Sequence, residues 1–125
     1  MVMSEWMDEG DILSIQKITI SPTETSETLF QKFASVSGQT LISTVINYDS
    51  GLLTKADIFD PIPQDHTQAT YCKKIEKEDG FIDWAKSSEE IYHMWQAYTP
   101  WPGIYTHYEG KRILFEKVLF YAHTE

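Results

Sequence analysis

Lys77-Glu78-Asp79-Gly80-Phe81-Ile82-Asp83-Trp84 and, about a helix further on, Pro100-Trp101-Pro102-Gly103-Ile104-Tyr105 are the two strings that decide how this chain is read. Between them, Ser87-Ser88-Glu89-Glu90 has the pattern of a helix start. Ile91, Met94, Trp95 and Tyr98 then recur at the spacing of one helix face, and Pro100 ends the run. Trp84 and Trp101 are expected to pack on that helix, and Asp83 to cap a neighbouring backbone amide. Past the second string, Gly110 marks a hairpin turn between Tyr105-Thr106-His107-Tyr108 and a β-rich run from Ile113 to Tyr121.

Working back toward the N-terminus, Asp60-Pro61-Ile62-Pro63-Gln64-Asp65 excludes regular helix, because two prolines hold the backbone extended. The polar stretch from there to Trp84 reads as a linker crossing a surface. Ahead of it, Leu29, Phe33 and Val36 form one apolar helical stripe, and Leu41, Ile42, Val45 and Ile46 a second. Gly38 is expected to interrupt them, giving two helices or one bent helix packed on a sheet and ending before Asp49-Ser50-Gly51. Ser21-Pro22-Thr23-Glu24 fits a capping box with proline at the first helical position. The first 20 residues read as strand, acidic turn and strand, on the β-branched alternation from Ile12 to Ile20.

The chain has 125 residues, enough for one average domain with a sizeable core. Its 42% hydrophobic and 14% aromatic content reads as globular. No apolar run is long enough to span a bilayer, and Met1-Val2-Met3-Ser4-Glu5 lacks the basic and apolar regions of a signal peptide. A lone Cys72 excludes an internal disulfide and a multi-cysteine zinc site, so a cytoplasmic protein is expected. The net charge of -9 argues against an autonomous nucleic-acid binder, since phosphate neutralisation needs clustered Lys and Arg.

Chemistry points to Asp8, in a loop with Glu5, Glu9 and Asp11. Four acids so close repel one another, which suits a general acid or base, or a hard-cation site. A solvated acidic loop is the plain alternative, since surface acids are common. His66, His93, His107 and His123 lie far downstream without ligand spacing, and they read as surface or partly buried residues. Nothing near Cys72 marks it as a nucleophile.

Met7-Asp8-Glu9-Gly10-Asp11-Ile12-Leu13 and the two tryptophan strings together resemble the methionyl-tRNA formyltransferases, a family of folate-dependent formyltransferases. The first motif is similar to that family's Leu-Asp-Thr-Gly-Asp-Ile-Leu, with Glu9 where threonine is common. Glu24-Thr25-Ser26 through Phe33 resembles the helix that closes the catalytic domain. Pro63-Gln64 and Ala69-Thr70-Tyr71-Cys72-Lys73-Lys74-Ile75 resemble the interdomain linker, with Cys72 replacing alanine. Gln96-Ala97-Tyr98 stands where the family often has Arg-Ala-Phe, so one potential basic contact is absent. Lys111-Arg112-Ile113-Leu114 resembles the opening strands of the second domain.

The resemblance covers about residues 1–118 and implies an α/β fold, α+β within this stretch. Residues 1–60 would be the C-terminal portion of a Rossmann-like catalytic domain and 61–86 an interdomain linker. Residues 87–125 would begin a β-barrel domain of the oligonucleotide-binding type. The implied reaction moves a formyl group from 10-formyltetrahydrofolate to the amine of methionyl-initiator tRNA and needs no metal. Asp8 would be catalytic. Ser4, Glu5, Trp6 and Met7, together with Asp8, would wall the folate pocket, the loop acting mainly through backbone groups.

The family's Asn and His precede the aspartate by about a strand and a loop, and only seven residues precede Asp8. The expectation is therefore an internal fragment, inactive alone, whose partners in the complete enzyme are the folate donor, the initiator tRNA and a complementary N-terminal half. A formyltransferase acting on a sugar nucleotide or other small amine is the second reading, with the Pro-Trp-Pro-Gly string and the linker against it. A non-catalytic remnant, or one half of a split enzyme, is the third.

Overall fold

The structure is a computed structural model that describes residues 1–49 and 61–121. Among these the architecture is a small α+β one, with two α-helices and one two-stranded antiparallel sheet. The chain divides into two compact units, Met1–Thr19 with Lys32–Cys72, and Ile20–Gln31 with Lys73–Glu125. The expected boundary between catalytic domain and linker at residue 60, and the helix end at Ser50-Gly51, lie outside the described residues.

Helix α1 is a single run of 24 residues, Ser26–Asp49. It starts later than the Ser21 pattern predicts. Ser21 N–H does donate to the Glu24 carboxylate at 3.1 Å, but Glu24 N–H then returns to the Ser21 carbonyl and closes a separate turn. Thr25 and Thr28 make the exchange that opens the helix, Thr25 N–H donating to the Thr28 hydroxyl at 3.0 Å. Short hydroxyl side chains compete locally for backbone groups, so the cap nearest the apolar run prevails. Gly38 does not interrupt α1, because one glycine costs a helix only about 1 kcal/mol.

In the first unit no paired strands form within residues 1–20, contrary to expectation. Ile12 makes one antiparallel bridge to Ile62, and residues 13–20 run without a ladder partner. Alternating residues need a neighbouring strand, and none of the described residues supplies one. Among the described residues the α1 stripes therefore do not pack on a sheet. Leu41, Ile42, Val45 and Ile46 stay exposed, while Val36 and Thr40 line a groove of about 310 Å³ with Leu13, Gln16 and Ile18.

The second unit holds the buried hydrophobic residues Ile82, Ile104 and Tyr105. Helix α2, Ser88–Tyr98, begins as predicted. The Ser87 hydroxyl accepts from Glu90 N–H, and the Glu90 carboxylate accepts from Ser87 N–H at 2.9 Å. Its face of Ile91, Met94, Trp95 and Tyr98 is half-buried. Strands β1, Ile104–Tyr108, and β2, Lys111–Phe115, pair with Tyr105 opposite Leu114 and His107 opposite Arg112. Glu109 and Gly110 both have positive φ, 49° and 73°, as a two-residue hairpin turn requires.

The β-rich run stops at Phe115, short of Tyr121. The Glu116 carbonyl accepts from the Trp95 indole N–H, and Phe120 stacks on Tyr92, so this segment serves α2 rather than the ladder. Residues 61–86 are extended but hold two 3-10 turns, His66–Gln68 and Lys77–Gly80.

Candidate active-site loop

The loop that carries Asp8 is closed by the backbone. Val2 N–H donates to the Asp11 carbonyl at 2.8 Å. Gly10 is buried beneath that closure, and a Cβ there would stand 1.8 Å from the Val2 carbonyl oxygen. Only glycine lets the two backbones approach so closely. Within the loop, the Ser4 hydroxyl donates to the Trp6 carbonyl at 2.6 Å. Asp8 itself lies in the left-handed region, at φ 60°.

A second set of bonds reaches the loop from the Pro61–Gln64 segment. Ile12 and Ile62 exchange both backbone bonds, at 2.9 and 3.0 Å. The Gln64 side-chain Nε2 donates to the carbonyls of Asp8 and Gly10, each at 2.7 Å. Just beyond, the Thr67 hydroxyl and the Gln68 amide hold the Asp65 carboxyl below the usual carboxylate range.

The structure therefore brings Ser4, Glu5, Trp6, Met7 and Asp8 together as one stretch with a tied backbone. All five are exposed, Met7 at 89%. Among the described residues no side chain hydrogen-bonds the Asp8 carboxylate, and no group of three or more His, Cys, Asp or Glu is placed to hold a metal ion. Gly10 and Gln64 were not among the expected site residues. For Gln64 the signal was present: an amide with two N–H donors follows a Pro-Ile-Pro stretch, where proline cannot donate.

The tryptophan strings meet in the second unit. Ile82 N–H donates to the Tyr105 carbonyl at 2.8 Å, and Phe81 bridges Tyr105 in parallel. Asp83 accepts from Ala85 N–H at 3.0 Å, the expected local cap. Trp84 packs on the hairpin instead of α2, its indole N–H donating to the Thr106 hydroxyl and its ring set edge-on to Phe115. Trp101 is exposed. Gln96, which stands where the resembling family often has arginine, donates from Nε2 to the carbonyls of Pro22 and Glu24, both at 2.8 Å. The Arg112 guanidinium lies 3.9 Å over the Tyr105 ring.

Residues 74–125, which contain all of these second-unit motifs from Lys77 onward, match the family model "Formyl transferase, C-terminal domain". This stretch is therefore similar to the C-terminal domain of formyl transferases. Over most of its length the chain is also similar to methionyl-tRNA formyltransferases. It is 34% identical to that of Acidobacterium capsulatum over 119 residues, which is 95% of this chain and 36% of the relative. It is 37% identical to that of Pseudoalteromonas translucida over 90% of this chain and 33% of the relative. It is also 37% identical to that of Desulfotalea psychrophila over all of this chain and 37% of the relative. The chain thus spans about a third of the length of the curated relatives it matches. No helix among the described residues is long and apolar enough to cross a membrane.

Proposed function

We propose that these residues are the part of a methionyl-tRNA formyltransferase that contributes the catalytic aspartate and the linker to its second domain. In this reading residues 1–60 end a Rossmann-like catalytic domain, 61–86 link, and 87–125 begin a β-barrel of the oligonucleotide-binding type. The reaction would take place in the cytoplasm. The formyl donor is 10-formyltetrahydrofolate, and the acceptor is the amine of methionyl-initiator tRNA.

The amine nitrogen attacks the formyl carbon, and a tetrahedral oxyanion forms. The folate nitrogen then leaves, carrying the proton that the amine gives up. Asp8 organises that proton transfer, and the backbone of Ser4–Met7 walls the folate pocket. The oxyanion donors come from an Asn and His segment that these 125 residues do not contain. Removing one such donor typically costs on the order of a hundredfold to a thousandfold in rate. Alone, the 125 residues are inactive.

The observation that carries the reading is the similarity over nearly the whole chain to enzymes of that name, with the Asp8 loop inside the matched stretch. The test is formyl transfer to methionyl-tRNA by the purified 125 residues, alone and mixed with a separately produced N-terminal half of a relative. Activity is expected only in the mixture and is lost with Asp8→Asn. Transfer by the 125 residues alone would overturn their inactivity. Transfer in the mixture that survives Asp8→Asn would overturn the role of Asp8. Activity on a sugar-nucleotide amine but not on methionyl-tRNA would favour the small-amine reading.

A further inference from the structure

We propose that Gln64 is the positioning residue for Asp8. Its side-chain amide holds the Asp8 backbone in the left-handed conformation from which the carboxylate acts. The inference rests on the catalytic reading of Asp8 given above. A non-glycine residue at positive φ is uncommon, although aspartate tolerates it better than most. Asp8 is there at φ 60°, in a loop whose side chains face solvent, so packing does not hold it.

What holds it is polar. The Gln64 Nε2 has two hydrogens, and they go to two carbonyls, Asp8 and Gly10, at 2.7 Å each. These bonds fix the peptide planes that follow Asp8 and Gly10. The direction of the Asp8 Cα–Cβ bond is set by the backbone on either side of it, so the same bonds aim its carboxylate.

Gln64 is itself on a stiff support. Ile62 lies between two prolines, which keeps that segment extended, and it exchanges two backbone bonds with Ile12 at the base of the same loop. The half-buried Gln64 amide is thus delivered to the loop from a fixed distance. Its function would be lost on replacement by an isosteric side chain that cannot donate.

The test starts with NMR on the 125-residue chain, where the intraresidue amide–Hα NOE of Asp8, strong at positive φ and weak at negative φ, reports its φ. Gln64→Glu keeps the volume but turns acceptor oxygens toward two carbonyls. The NOE is expected to weaken, while resonances of β1 and β2 stay in place. An unchanged NOE in both Gln64→Glu and Gln64→Ala would overturn the proposal. If Gln64→Ala melts the loop outright, an Asp8→Gly background decides, since glycine takes positive φ unaided. The loss of Tm from Gln64→Ala should then be smaller in that background, and equal losses overturn the clamp.

The second arm is a chimera in which residues 1–125 replace the matching stretch of the Desulfotalea psychrophila formyltransferase, a match that covers all of this chain. Gln64→Glu should lower kcat about tenfold to a hundredfold, the scale of a misplaced catalytic group, with KM for methionyl-tRNA unchanged. If Asp8→Asn abolishes activity but Gln64→Glu leaves kcat intact, the positioning role is overturned and the catalytic reading stands. If the chimera is active and Asp8→Asn leaves its activity intact, the reading of Asp8 fails and the positioning role falls with it.

Discussion

Gly80 lies against Gly103 so closely that a Cβ on Gly80 would stand 2.1 Å from the Gly103 carbonyl oxygen. This approach joins the two tryptophan strings, backbone to backbone, beside the buried Ile82 and Ile104. The obstructing atom is main chain, so no side-chain rotation relieves it. Gly80→Ala should therefore destabilise the second unit by roughly 1–3 kcal/mol, the usual cost of overpacking. Urea titration followed by tryptophan fluorescence measures it, and a change within experimental error would show that the two strings can separate freely.

Trp95 is half-buried, stacked on Tyr92 with ring centroids 5.7 Å apart, and bonded through its indole N–H to the Glu116 carbonyl at 3.3 Å. A fully buried tryptophan costs about 3–5 kcal/mol on truncation to alanine. Trp95 is only half-buried, so Trp95→Ala should cost about 2 kcal/mol. Trp95→Phe should retain the stack and lose mainly the bond, about 1 kcal/mol. The two variants are compared by thermal denaturation, and equal losses would mean that the stack contributes nothing.

Gly38 sits in the interior of α1, exposed, and a Cβ there would meet nothing within 4 Å. Gly38→Ala should stabilise the chain by roughly 0.5–1 kcal/mol, because alanine has less backbone freedom to lose in a helix. Circular dichroism at 222 nm during heating reads the gain. A lowered Tm would indicate that α1 bends or packs at Gly38 in solution.

Local features of this chain were legible in its sequence, and distant contacts were not. The helix start at Ser87–Glu90, the α2 face, the Asp83 cap and the turn at Gly110 each depend on residues a few positions apart, and all four are found as read. The pairing of Ile12 with Ile62 depends on residues fifty apart, and alternation from Ile12 to Ile20 carried no information about whether a partner strand exists. Trp84 shows the same limit. Its spacing from α2 suggested the helix, but its indole N–H found a hydroxyl on β1. The Asp8 loop was identified by motif, whereas the amide that ties it, Gln64, lies 56 residues away and was read only as linker.

The acid limb of the stability profile should come from three carboxylates with depressed pKa values. Glu90 is lowered from an ordinary 4.5 by accepting from the Ser87 backbone N–H and then from its hydroxyl. Asp79 is lowered from 3.8 by the Lys73 ammonium at 2.7 Å and then by the Glu76 N–H, and Asp65 chiefly by the Thr67 hydroxyl. A carboxylate whose folded pKa is depressed binds fewer protons folded than unfolded, so stability rises with pH across that interval. The contribution is complete above the ordinary values, about pH 4.5 for Glu90 and 3.8 for the aspartates, and is lost as pH falls through the depressed ones. Lys73 has the opposite sign. Its pKa is raised above 10.5 by the Asp79 hydrogen bond, so its contribution is present below that pH and lost above the raised value. Asp65, Glu90 and Lys73 are exposed and Asp79 is half-buried against an exposed partner, so solvent screening keeps each effect small. Tm measured between pH 2 and 7 should be flat down to about 5 and then fall. Glu90→Gln, which keeps the shape of the cap but not its charge, should lower the plateau and shrink the fall below pH 4.5. A Glu90→Gln profile parallel to the parent across the whole range would show that the α2 cap does not depend on the ionised carboxylate.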